Sequence, residues 1–330
     1  MENKLIYSSS PHIKSPRTTR KIMLDVCVAL LPATIIGIIY FGLYALLLVA
    51  LSVISAVVGE YVYLLAAGKS FKEITENFDF SSVITGLLIG LTIGTNYPFY
   101  APIFGSLFAI IAVKMLFGGT GKNIVNPAIA GRIFMFISFQ WAVGAVWLVP
   151  SIGSIYGETV ATSATAVVDV SKGVVPNISL LDMLLGTGMQ GCIGETCKVA
   201  LLIGGIYLAC RRVINLVYPL IFIALTGFTT VVICGFDFSM FLPSILSGGL
   251  FLGAIFMATD YTTTPNTKAG NIIYFAFLGI LLAVLRYATK METVSFAILL
   301  MNLVVPLIDK FILNKPFGYK KSPKTKGAKL

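Results

Sequence analysis

The chain has 330 residues, of which 57% are hydrophobic and 12% are charged, and its formal net charge is +10. Soluble globular domains carry about 25% charged residues, so this composition excludes a globular protein surrounded by water alone and indicates that lipid is the main solvent. The basic charge is concentrated in the two terminal tails, which disfavours nucleic acid as a partner and favours anionic lipid headgroups.

The first predicted element is a basic tail at residues 1–21, and a second basic tail follows the last apolar run at 313–330. Positive residues accumulate in the cytoplasmic loops of membrane proteins. Both termini are therefore predicted to be cytoplasmic, and the number of spans is predicted to be even. The pattern assigns four cations to the opposite, extracytoplasmic side: Lys172, Lys198, Arg286 and Lys290.

Apolar runs recur along the chain between these tails. A helix needs roughly 20 mostly apolar residues to cross the hydrocarbon core, and on this basis the sequence predicts an all-α polytopic membrane protein. Units of five helices each are predicted at 22–148 and 197–312. The ten predicted spans are 22–40, 42–66, 80–96, 100–117, 127–148, 197–210, 216–235, 240–258, 272–288 and 293–312.

Two short patterns recur in both units. Ser82-Val83-Ile84-Thr85-Gly86-Leu87 resembles Ser244-Ile245-Leu246-Ser247-Gly248-Gly249, and Asn126-Pro127 is echoed by Thr264-Pro265. Segments five spans apart cross the bilayer in opposite directions, so the pattern indicates two inverted repeats, in which sites form between the halves near the midplane. The alternative is chance similarity between helices whose small residues serve close packing.

Residues 149–196, here called the connector, join the two units and are predicted to be extracytoplasmic. The connector contains Thr162-Ser163-Ala164-Thr165, in which the hydroxyl residues are also typical of ordinary turns. Its later part is rich in glycine from 185 to 191 and predicts a broken or re-entrant helix, which is tolerated at membrane depth where protein covers it.

The sequence Thr162-Ser163-Ala164-Thr165 resembles the flavinylation signature of ion-pumping respiratory complexes, and the chain as a whole resembles the RnfD proteins of the Rnf complexes. The resemblance implies FMN esterified through its phosphate to Thr165 by an extracytoplasmic flavin transferase. The acidic residue expected upstream is represented at best by Glu158, one position out of register. The other segments that carry the resemblance are 118–123, 126–128, 131–132, 191–196 and 258–260.

This resemblance also implies a function and a location. The expected function is electron carriage in a multi-subunit ferredoxin:NAD⁺ oxidoreductase that moves Na⁺ or H⁺, together with the other Rnf subunits, in a bacterial or archaeal cell membrane. The expected fold is a urea-channel-like bundle, and a second, non-covalent riboflavin is expected nearer the cytoplasmic face. The alternatives are a relative of the NqrB protein of the Na⁺-translocating NADH:quinone reductase and a channel or transporter for small solutes.

Several polar residues near the predicted spans are further candidates. Glu195 and Thr196 could support the flavin site or line an ion path, or Thr196 could cap the sixth span. Arg132 could reach the cytoplasmic interface or contact a ligand. Together with Arg132, Asn126 and Asp260 are candidates for the second flavin or an ion path.

No residue is assigned a catalytic role, and no metal site is predicted. The five cysteines lack the spacing of a metal site. The single histidine, His12, lies in the amino-terminal tail, which excludes a histidine-ligated haem or copper centre within the membrane.

Overall fold

The computed structural model describes residues 17–143, 148–149, 158–159, 166–187 and 189–313. These residues are helical apart from turns and one antiparallel β pair, in which β1 (Leu148–Val149) lies beside β2 (Glu158–Thr159). The prediction of an all-α architecture is therefore confirmed. Within these described ranges, three helices are long and apolar enough to cross a membrane, and a fourth span results if one bent pair is counted as a single span.

The first unit contains five described helices. They are α1 (Thr19–Ala66), α2 (Phe71–Glu76), α3 (Ser81–Leu91), α4 (Tyr100–Leu107), which continues as a π-helix over Phe108–Met115, and α5 (Pro127–Val143). The predicted span 80–96 is too long, because α3 ends at Leu91 and residues 92–99 form turns.

The remaining helices lie in the connector and the second unit. They are α6 (Ala166–Ser171), α7 (Leu180–Leu185), α8 (Lys198–Cys210), α9 (Val217–Ile233), α10 (Phe241–Leu246), which follows a 3-10 turn at Phe238–Met240, α11 (Leu250–Leu252), which continues as a π-helix over Gly253–Met257, α12 (Lys268–Thr289) and α13 (Val294–Phe311). The predicted span 240–258 is broken, because the helices before and after residues 247–249 meet at 67°.

Helix α1 is interrupted at Gly42, where φ is 77° and ψ is −165°. Glycine adopts this backbone without the steric cost of a Cβ. Ile22 lines the same cavity as Lys114, and Lys114 Nζ lies 2.8 Å from Glu60 Oε1. A straight helix would separate residues 22 and 60 by about 57 Å at 1.5 Å per residue. The chain therefore folds back at Gly42, where the sequence predicts the boundary between its first two spans.

Two helices, α3 and α8, are short, and the segment just before α8 is bound to the end of α3. Helix α3 has 11 residues and α8 has 13, both fewer than the roughly 20 needed to cross a bilayer. The backbone N–H of Gly194 donates to Leu91 O at 2.8 Å, and that of Ile193 donates to Ile93 O at 3.0 Å. The end of the connector is thereby tied to the end of α3, and α8 begins from this interior position.

Close contact between α1 and α3 depends on small residues. A Cβ at Gly86 would lie 2.6 Å from Val53 Cα, and Ser52 Oγ donates to Gly86 O at 2.7 Å. The two backbones therefore approach as closely as glycine allows, the packing mode of small residues in membrane helices.

Candidate functional site

The first component of the site is a buried ion pair between the first unit and the connector. Arg132, in the second turn of α5, places Nη2 3.0 Å from Glu195 Oε1. The arginine side chain is 14% exposed and the glutamate side chain 5%. Arg132 therefore contacts a carboxylate inside the fold.

A second ion pair lies in the other unit. Arg286 Nη2, near the end of α12, is 3.0 Å from Glu292 Oε2. The same guanidinium donates to Ser244 O at 3.0 Å and Ser247 O at 3.1 Å, where α10 ends. The last turn of a helix leaves its carbonyls without intrahelical N–H donors, and the Ser244 carbonyl also accepts from Ser247 Oγ at 3.1 Å. Arg286 thus fixes the end of α10 and neutralises Glu292.

The two pairs meet at the break between α10 and α11. A Cβ at Gly249 would collide with the Glu195 carboxylate, and a Cβ at Gly248 would collide with that of Glu292. Gly248 also has a positive φ of 64°. The paired glycines therefore leave room for one carboxylate from each ion pair.

Lys198 adds a further cation at the start of α8. Its side chain is only 1% exposed, and Nζ donates to Thr196 O at 3.3 Å and lies 4.0 Å from Met189 Sδ. No carboxylate in the described part of the chain lies within ion-pair distance of it. Its electrostatic neighbours include Glu195 and Glu292. We call Arg132, Glu195, Lys198, Arg286 and Glu292 the charge cluster.

Most of this cluster does not follow from the sequence. The extracytoplasmic side predicted for Lys198 and Arg286 stays a prediction, and the structure adds that both residues are buried, at 1% and 5% exposure. One sequence signal could have indicated that Lys198 is buried: it lies directly before an apolar run that is too short to span a bilayer.

Thr196 does not cap α8. The N-cap position is occupied by Cys197, which makes no side-chain capping bond. Thr196 is buried against Gly186, and its hydroxyl donates to Ile193 O at 3.5 Å. The capping alternative is therefore wrong, and Thr196 instead supplies the carbonyl that accepts from Lys198.

The residues Thr162, Ser163, Ala164 and Thr165 lie outside the described part of the chain. The description resumes with α6 at Ala166, whose first turn is buried. A Cβ at Gly248 would lie 3.0 Å from Val167 Cγ2. The segment that directly follows Thr165 therefore packs beside the charge cluster.

Asn126 and Asp260 lie together in a separate cavity between the units, and Arg132 is not among its lining residues. The cavity holds about 820 Å³, counting its open mouth. Asn126 Nδ2 donates to Met257 O at 3.1 Å across the units, and Asn126 Oδ1 accepts from Ala128 N at 3.0 Å. The Asn126 side chain therefore binds a backbone N–H in the first turn of α5. It also links the two units through a hydrogen bond beside the cavity.

Two charged side chains line this cavity. Lys114 Nζ donates to Glu60 at 2.8 Å and to Ser81 Oγ at 2.7 Å, so its charge is neutralised within the fold. Asp260 accepts from Thr262 N at 3.2 Å and from Thr262 Oγ1 at 2.9 Å. Burial raises the pKa of the Asp260 carboxyl. The two hydrogen bonds from Thr262 lower this pKa, but the effect of burial is larger. The cavity thus combines apolar walls with a few polar groups, as small-molecule sites do.

Comparison with known proteins agrees with the resemblance found in the motifs. The chain is 39% identical over 325 residues, 98% of both chains, to the D component of the Na⁺-translocating ferredoxin:NAD⁺ oxidoreductase complex of Acetobacterium woodii. It is 35% identical to the proton-translocating counterpart of Clostridium ljungdahlii, over 96% of this chain and 97% of the relative. The D component of an ion-translocating oxidoreductase complex of Stutzerimonas stutzeri is 32% identical, over 90% and 92%. A family model matches residues 6–318, and the chain therefore belongs to the NQR2, RnfD, RnfE family.

Proposed function

We propose that this chain is the RnfD component of an ion-translocating ferredoxin:NAD⁺ oxidoreductase complex and carries FMN esterified to Thr165. The observation that carries this proposal is the Thr162-Ser163-Ala164-Thr165 sequence in a chain that matches relatives of this kind along nearly its whole length. The matched relatives are named for ferredoxin and NAD⁺, which favours this function over quinone reduction. The partners are the other subunits of the complex.

The residues of the connector fit a covalently attached flavin. The Thr165 hydroxyl would supply the oxygen for a phosphoester, and α6, which begins at the next residue, packs against α10 and α12 of the second unit. A covalent bond keeps the coenzyme at high effective concentration beside the protein. When bound, FMN supplies one- and two-electron redox chemistry, and the protein positions and tunes the ring.

We further propose the topology that the attachment requires. Ten spans in two inverted repeats place both termini in the cytoplasm and the connector outside, where a flavin transferase can reach Thr165. The return of α1 at Gly42 supports this arrangement, as do the hydrogen bonds that tie the connector, just before the short α8, to the end of the short α3. Half-length helices that meet near the midplane are typical of inverted-repeat membrane proteins.

Replacing Thr165 with alanine tests the attachment. Co-expressed with the transferase, the wild-type chain is expected to fluoresce in a denaturing gel and to carry the added mass of the coenzyme, whereas the Thr165→Ala chain shows neither. Thr162→Ala is the matched control, since it removes a hydroxyl of the same motif but leaves the acceptor. Flavin fluorescence that survives Thr165→Ala would contradict the assignment, and an unmodified wild-type chain would favour a transporter.

The cavity that contains Asn126 and Asp260 is our proposed site for non-covalent riboflavin. Apolar residues from both units form much of its lining and suit a flat aromatic ring. The Asp260 carboxylate, the Asn123 amide and the hydroxyl of Tyr261 provide polar contacts. Because Lys114, the cation among the described lining residues, is already paired with Glu60, the cavity suits a flavin without a phosphate.

Filling this cavity is expected to remove the riboflavin selectively. Thr259 lines the cavity and is only partly buried, so a tryptophan there would occupy the space of a ring. We expect Thr259→Trp to reduce the flavin released by acid at least tenfold and to leave the covalent in-gel fluorescence unchanged. Thr289→Trp, at an exposed position on α12, is the control. Undiminished release of flavin from Thr259→Trp would place the riboflavin elsewhere.

A further inference from the structure

A second, smaller cavity lies between helices α6, α9, α10 and α12, apart from the one that contains Asn126 and Asp260. Its walls combine apolar side chains, such as that of Ile233, with hydroxyl groups, such as that of Thr230. Tyr287 also lines this cavity and is 53% exposed, so the cavity reaches the surface of the fold at α12. We call it the α9/α12 crevice.

Arg286 belongs to the wall of the crevice and has one hydrogen-bond donor without an acceptor. Its terminal nitrogens donate to Ser244 O, Ser247 O and the Glu292 carboxylate. The Nε atom is buried and has no acceptor among the residues that the structure describes, and the whole arginine is only 5% exposed. Buried donors without an acceptor are rare in folded proteins. The crevice therefore offers a buried donor to an oxygen atom of a bound molecule.

The crevice continues into an apolar stripe on the outside of α12. Ile280 and Val284 are 42% and 47% exposed, and together with Tyr287 they lie three or four residues apart on one face of the helix. Helix α12 is long and apolar enough to cross a membrane, so this face lies against lipid. Tyrosine is enriched at the interface between membrane and water, which agrees with the position of Tyr287 near the end of α12. The stripe therefore leads from the headgroup region towards the bilayer centre.

An exposed cation follows at the end of the same helix. Lys290 lies one helical turn, or about 5.4 Å, beyond Arg286. No carboxylate within the described ranges lies at ion-pair distance from Lys290. Glu292 is already paired with Arg286, and Asp237 accepts from Ser239 N at 2.9 Å. Lys290 is therefore available to contact a phosphate at the depth of the lipid headgroups.

We propose that the α9/α12 crevice binds one phospholipid. An ester oxygen of the lipid accepts from Arg286 Nε, its phosphate contacts Lys290, and one acyl chain follows the stripe of Ile280 and Val284. A phospholipid carries its phosphate, ester oxygens and acyl chains in this order, which matches the order of the three features along α12. The proposal does not require a flavin, so its failure would leave the proposed function untouched.

The reactivity of Cys234 reports on the crevice, because this cysteine lines it and is partly exposed. The full-length chain in detergent micelles is titrated with dioleoylphosphatidylglycerol or dioleoylphosphatidylcholine, and peptide mass spectrometry gives the rate at which N-ethylmaleimide alkylates each cysteine. A lysine near an anionic headgroup favours binding roughly fivefold. We therefore expect phosphatidylglycerol to protect Cys234 at about one fifth of the phosphatidylcholine concentration. The exposed Cys210 is the internal reference and is expected to react equally fast with either lipid.

Two variants with matched controls assign the protection to the crevice. Lys290→Gln is expected to make the two lipids equally protective, whereas Lys268→Gln, which removes an exposed lysine at the other end of α12, preserves the difference. Thr230→Phe places a ring in the crevice and is expected to abolish the effect of lipid on Cys234. Thr229→Phe is its control, because Thr229 is also partly buried on α9 but is not among the lining residues.

Three outcomes would overturn the proposal. Alkylation of wild-type Cys234 that neither lipid slows would show that the crevice holds no lipid. Protection that persists in Thr230→Phe, or an unchanged preference for phosphatidylglycerol in Lys290→Gln, would place the lipid elsewhere. Protection of Cys234 in the assembled complex but by neither lipid would identify the occupant as a protein partner instead.

Discussion

Replacing Arg132 with methionine is expected to destabilise the chain by about 3–5 kcal/mol. The substitution leaves the Glu195 carboxylate, whose side chain is 5% exposed, buried without the cation that neutralises it. Breaking a buried ion pair from one side has this cost because an uncompensated charge remains inside. The measurement is the thermal unfolding midpoint of the detergent-solubilised chain, followed through the loss of folded protein on size-exclusion chromatography.

The double variant Arg132→Met/Glu195→Met separates this explanation from a simple loss of packing. Removing both charges together is often neutral or even stabilising, since the desolvation of both ions is also removed. We therefore expect the double variant to be more stable than either single one, with a coupling energy well above the roughly 0.5 kcal/mol expected of independent sites. Additive losses would show that the two side chains do not act as a pair.

The chain offers a matched control in Arg211. Its Nη2 lies 3.2 Å from Asp25 Oδ1, a distance similar to that of the buried pair, but its side chain is 57% exposed. Exposed ion pairs contribute about 0–1 kcal/mol because water and salt screen them. Arg211→Met is therefore expected to leave the unfolding midpoint almost unchanged, so that burial rather than the presence of an ion pair accounts for the difference.

The helical architecture could be predicted because it depends on local pattern. Long apolar runs cannot satisfy their backbone groups in lipid except as helices, and glycine marks the places where they turn. The break at Gly42 illustrates this, since the predicted spans 22–40 and 42–66 meet there and the structure has its non-helical backbone at that residue. The last two predicted spans likewise agree with α12 and α13 to within a few residues.

The charge cluster could not be predicted because its members come from distant parts of the chain. A glutamate in the connector meets an arginine in α5, and two hydrogen bonds hold the connector next to this glutamate at the end of α3. The burial of Lys198 could not be predicted for a related reason. Its apolar run has the composition of a span, but its helix has only 13 residues where a span needs roughly 20, and the fold shows that the interior turn of the connector precedes it.

The cavity between the units could be predicted only in part from the sequence. Asn126 and Asp260 were identified as candidates for one site by their motifs, and the structure places both in one cavity. Arg132 was included with them because it is a cation a few residues into the fifth predicted span, where it could contact a ligand. A helix turns through a full circle every 3.6 residues, so nearness in sequence does not place two side chains at one site, and Arg132 instead faces Glu195.

Replacing Gly86 with valine is expected to destabilise the chain strongly, because Gly86 lies at the contact between α1 and α3. A Cβ at this position would lie 2.6 Å from Val53 Cα and 2.9 Å from Ser52 O, and backbone atoms of a packed helix cannot move aside as a side-chain tip can. Overpacking of this kind costs about 1–3 kcal/mol and sometimes more. The hydrogen bond from Ser52 Oγ to Gly86 O is disturbed as well, so we expect a loss of at least about 3 kcal/mol.

Gly191→Val is the matched control for this change, because no atom lies within 4 Å of a Cβ built at Gly191 and its φ is not positive. It adds the same side chain to the same protein and is expected to alter stability by no more than about 0.5 kcal/mol. Both variants are compared through the unfolding midpoint and the yield of monodisperse protein. Similar stability of the two variants would mean that α1 and α3 can separate without cost. The end of α3 could then not hold the connector, and with it Glu195, at a fixed position beside Arg132.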